Sequence, residues 1–79
     1  VDIESMLSEK GKDFSIKTAV HIRRMFEKFG HDEVFGRSAV TELLGLKNSS
    51  ASKLLSNLVQ ADIIEPVSGY GKGKYKFKN

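Results

Sequence analysis

Cysteine and tryptophan are absent from the 79 residues, and proline occurs once. Without cysteine there is no disulfide staple and no thiolate metal site, which suits a reducing cytoplasm. The two histidines, His21 and His31, are isolated: neither has a partner at metal-ligand spacing or a pattern that would activate a serine. No metal, no cofactor and no catalytic constellation is expected. No apolar run approaches the ~20 residues of a membrane span. Residues 1–10 carry Asp2, Glu4 and Glu9 where a signal peptide needs a basic flank and an apolar stretch. A chain of this length supports one domain with a marginal core, roughly 3–5 kcal/mol. Its first residue is Val, and the expectation is a domain joined to an upstream one in a larger protein.

Charge is present but unevenly placed. Residues 47–79 hold six lysines against Asp62 and Glu65, net +4, whereas residues 1–46 hold seven basic and eight acidic residues, net −1. A basic C-terminal part on a near-neutral base is the asymmetry of a polyanion-binding face.

Periodicity predicts the elements. Residues 1–10 carry apolar Val1, Ile3, Met6 and Leu7, and the 3, 6, 7 spacing is that of a short helix that Gly11 stops. Residues 15–29 form the clearest helix, capped by Ser15 and ended by Gly30. Its apolar face is wide enough to be covered on two sides, by the first helix or by a second copy of the chain. Val34-Phe35 is a strand stub. Residues 38–44 form the next helix, with Val40, Leu43 and Leu44 inward, and Gly45 ends it. After a tight turn, Asn48 or Ser49 caps a helix to about Ala61 that buries Ala51, Leu54, Leu55 and Leu58. Ile63, Ile64 and Val67 then read as a strand that Pro66 confines to an edge. A Gly-rich loop, 68–73, leads to a strand with Tyr75 and Phe77 on one face and Lys74, Lys76 and Lys78 on the other. Leu54 and Leu58 are expected against Val40, Leu43 and the 15–29 helix, with Tyr75 and Phe77 closing one side. His21 is expected to be exposed.

The tract 35–46, FGRSAVTELLGL, resembles the first half of a bacterial helix-turn-helix, and 49–58, SSASKLLSNL, resembles its recognition helix. Residues 62–67 through 74–77 are similar to the wing hairpin of winged-helix regulators. The tract from Phe35 on also resembles the C-terminal winged-helix domains of Fic-type and helicase-related ATP-binding proteins. Asp62 stands where such families usually carry Gly, and Lys47 where Ser or Thr caps the helix, which moves the expected cap to Asn48. The resemblance implies an α+β, mainly α fold: a winged helix-turn-helix body over 15–78, with a three-helix core, a two-stranded wing and an N-terminal helical extension over 1–11.

A recognition helix reads base edges with its N-terminal residues. Here these are Asn48, Ser49, Ser50 and Ser52, with Lys53 and Asn57 a turn further. The helix has no Arg for guanine. Arg37, Lys72 and Lys74 are expected on phosphates, and Tyr70 stacks on the nucleic acid or bonds a phosphate. The G-x-G-x-G run 69–73 joins two strands and opens no helix, so a nucleotide-binding loop is a poor reading. The leading expectation is double-stranded DNA binding in transcriptional control, as a homodimer. The alternative is an interaction or regulatory module, without a nucleic-acid ligand, at the C-terminus of a larger enzyme or ATP-binding protein.

Overall fold

The structure is a computed structural model, and it describes residues 3–71 and 73–78. In chain order the elements are α1 (Ile3–Lys10), α2 (Ile16–Phe29), β1 (Phe35–Gly36), α3 (Arg37–Leu44), α4 (Asn48–Gln60), β2 (Ile64–Pro66) and β3 (Lys74–Phe77). The fold is α+β and mainly helical, with a small antiparallel sheet in the order β1-β3-β2, a layout compatible with a winged helix. No helix is long and apolar enough to cross a membrane among the described residues.

The expected boundaries hold to within a residue or two. The Ser15 side chain accepts the Thr18 backbone N–H and so caps α2. Gly45 ends α3 in the left-handed region, at φ 67°, with its N–H on the Thr41 carbonyl; a Cβ there would be strained by roughly 1–2 kcal/mol. The sheet exceeds the expected hairpin by one strand, because the stub, displaced by one residue to Phe35–Gly36, pairs with β3 at Tyr75 and Lys74. Pro66 lies on an edge strand, opposite Tyr75. Ile63 falls outside the strand and serves the end of α4 instead.

That end is a Schellman arrangement: the Ile63 N–H bonds the Leu58 carbonyl and the Asp62 N–H the Val59 carbonyl. Asp62, where the resemblance expects Gly, takes the left-handed conformation at φ 65°. Leu58 and Ile63, which flank the motif, are both fully buried.

The core joins Ile22 and Met25 of α2, Val40 of α3, Ala51, Leu54, Leu55 and Leu58 of α4, and Ile64 and Phe77 of the sheet. Leu43 and Tyr75 pack against it half-buried. Phe29 stacks on Phe35 at 4.5 Å between centroids, and Phe77 meets Phe26 edge-to-face and Phe35 at a tilt. His31, read as an isolated loop residue, packs edge-on against Phe26, and its Nδ1 lies 3.1 Å from the Lys78 carbonyl oxygen. His21 is half-buried rather than exposed.

The N-terminal helix folds back on its own domain. Met6 and Leu7 are buried, and Arg23 grips Glu4 through two hydrogen bonds of 2.7 and 3.1 Å. At its other end Lys10 donates to the Asp62 carbonyl at 2.9 Å and to its carboxylate at 3.3 Å, while Lys78 pairs with the other carboxylate oxygen. Asp62 thus clasps α1, the end of α4 and the end of β3. Hydrogen bonds from Lys78, then Lys10, hold its carboxyl below the ordinary aspartate range. A depressed carboxyl stabilises the fold above the unfolded-state pKa, and that contribution is lost as pH falls through the folded value. Melting temperature should therefore fall on acidification through and below the ordinary Asp range. Asp62→Asn, which keeps the backbone tolerance, should flatten that acid limb in a pH series of thermal melts. An unchanged limb would mean that the clasp contributes nothing.

Candidate nucleic-acid interface

The turn between α3 and α4 sets where α4 begins. Leu46 is half-buried, and Lys47, with extended backbone at φ −71° and ψ 159°, is the N-cap residue of α4. This corrects the expected cap at Asn48 or Ser49: both lie inside the first turn. Lysine has no side-chain acceptor, and no side-chain cap bond is made. The first-turn N–H groups therefore face outward beside Asn48, Ser49 and Ser50, all exposed.

The helix separates its faces cleanly. Ala51, Leu54, Leu55 and Leu58 point into the core, Lys53, Ser56 and Gln60 are exposed, and Ser52 and Asn57 are half-buried on the flanks. No acidic residue occurs between Asn48 and Gln60.

Two cations reach this face from other elements. Arg37, the first residue of α3, donates from Nη1 to Ser52 Oγ at 3.1 Å. Among the described residues this bond uses one of its five donors. Lys74 pairs in register with Gly36. Its Nζ passes 3.0 Å from where a Gly36 Cβ would lie, so the lysine lies over the junction of β1 and α3, next to Arg37. A Cβ at Gly36 would also meet the Gly73 carbonyl oxygen at 3.2 Å, so the hairpin backbone approaches closely there. At the loop tip Gly69, Gly71 and Gly73 all have positive φ, from 76° to 90°, and they present Tyr70, which is 62% exposed. Lys72 lies outside the described residues. Lys78 is committed to Asp62.

Between α4 and the hairpin runs a groove of about 680 Å³. One end is bounded by Arg37, Ser52 and Lys74, and the floor is Leu55, Val59, Pro66 and Tyr75. No expectation drawn from the sequence covers this groove. Ser52, Leu55, Ser56 and Val59 recur at three- and four-residue spacing, a stripe that periodicity could have flagged as the edge of a cleft. No family model matches the chain, and no curated protein matches it.

Proposed function

We propose that the chain is a winged helix-turn-helix domain that binds double-stranded DNA in transcriptional control, with α3, the turn at Gly45, and α4 as the helix-turn-helix and the β2–β3 hairpin as the wing. The observation that supports this most is the segregation of charge around α4. Its exposed face is polar and free of acid, and Arg37, Lys53 and Lys74 lie on or beside it. The nearest acid in sequence after α4, Asp62, is neutralised by two lysines. In this reading α4 enters the major groove by its N-terminal turn. Asn48, Ser49, Ser50 and Asn57 meet base edges there, and Arg37, Lys53, Lys72 and Lys74 meet phosphates. Tyr70 sits at the wing tip against the backbone.

A titration of labelled duplex by anisotropy, from low to physiological salt, tests the reading. Each phosphate contact releases counterions and contributes about −0.9 to the log–log slope, so Arg37, Lys53 and Lys74 alone give about −2.7. Absence of binding at low salt, where the phosphate contribution is largest, would replace this reading with that of an interaction module.

Two half-sites would require two copies. Because α1 covers one side of α2, the apolar side chains left outward on that helix are Ile16, 86% exposed, and Val20, 44% exposed. A homodimer of this domain would pair through them. Sedimentation should then show concentration-dependent pairing in the micromolar range that Ile16→Glu abolishes. A monomer at every concentration would leave the domain to bind single half-sites.

A further inference from the structure

The floor of the groove is not what duplex binding calls for. Phosphates call for cations and base edges for polar side chains, whereas Leu55, Val59, Pro66 and Tyr75 offer neither beyond one phenol. We infer that this groove is a binding site for a small carboxylate with an apolar body, an aromatic or medium-chain acid. Its volume of about 680 Å³ falls within the range of about 300–1,000 Å³ typical of small-molecule sites. From Ser52 to Gln60 the bordering helix rises about 12 Å, room for one ring or a short chain.

Charge complementarity selects the anion. Among the described residues the groove is lined by Arg37 and Lys74 and by no acidic side chain. The guanidinium, held in place by its bond to Ser52 Oγ, presents the planar fork that matches a carboxylate. Ser38, Ser52 and Ser56 supply further hydroxyl donors along the rim. An apolar body then lies on Leu55, Val59 and Tyr75. Arg37 is also one of the cations assigned to the duplex, so occupancy of the groove and duplex binding compete for it. The binding claim stands without the duplex reading; the competition rests on it.

Benzoate is a suitable probe, with benzyl alcohol as its uncharged counterpart and inorganic phosphate as an anion without an apolar body. In a nitrogen-15-labelled sample of the 79-residue chain, benzoate should move the amides of Ser52, Ser56, Val59 and Tyr75 along saturable curves. Benzyl alcohol and phosphate should bind there at least about tenfold more weakly, the scale of one charge-assisted pair or of a buried ring. Arg37→Gln should weaken benzoate about tenfold, and Val59→Trp, which fills the floor, should abolish the saturable shifts. Both exposed and half-buried positions keep the spectrum dispersed, which reports folding directly, and Lys74→Gln provides an independent charge test. Shifts that never saturate, that spread over lysines remote from the groove, or that phosphate reproduces equally would overturn the site. Saturating benzoate should also release a bound duplex. A chain that binds benzoate and no duplex would sink the duplex reading and leave the groove standing; one that binds duplex without responding to benzoate would do the reverse.

Discussion

Leu58→Ala should remove most of the stability of the domain. Leu58 is fully buried in α4, bounded by Ala51, Leu54 and Leu55 of its own helix within the shared core. Its carbonyl also accepts the Ile63 N–H that closes the helix end. Truncating a buried leucine removes its transfer free energy and leaves a cavity, together about 2–5 kcal/mol. A single core in a domain of this size contributes roughly 3–5 kcal/mol net, so the loss is comparable with the whole stability. Urea unfolding followed by far-ultraviolet circular dichroism would show it as a collapsed folded baseline. A parent-like midpoint would mean that α4 does not sit in the core as described.

The second large effect concerns charge. Neutralising Arg37, Lys53 and Lys74 together should flatten the salt slope of duplex binding by about 2.7, which removes a roughly 40-fold loss of affinity between 50 and 200 mM salt. All three are exposed, so the variant should fold and melt like the parent. Lys78 makes the contrast: it is paired with Asp62, which raises its pKa above the ordinary lysine value. Lys78→Gln should lower stability and leave the slope nearly unchanged. Equal slopes for the triple variant and the parent would place the duplex on another face.

Much of this arrangement is legible in the linear chain, because its signals are local. Ser15 and Gly30 bracket α2, Gly45 marks the tight turn, and the change from period 3.6 to period two at the C-terminus announces β3. The face of α4 follows from its own spacing. What escapes the sequence depends on partners far away in it. Nothing near Asp62 indicates that Lys10, 52 residues earlier, would hold it, and the left-handed turn that Gly usually takes becomes affordable to Asp within that clasp. Arg37 meets Ser52 across 15 residues, which places an expected phosphate contact on the wall of the groove. The cap moves to Lys47 because the turn after Gly45 brings the extended residue one position earlier than the polar side chains favour. A local preference of about 1 kcal/mol for Asn or Ser yields there to the packing of Leu46 and Ala51.

The central claim is that α4, Arg37 and the hairpin meet the duplex together. The direct measurement is a nitrogen-15 spectrum of the domain titrated with a short duplex at low salt. Shifts should concentrate at Arg37, at Asn48 through Lys53 and at Gly69 through Lys74, while α1 and residues 27–33 remain still. Shifts confined to α1 and α2, or an unchanged spectrum at low salt, would contradict it.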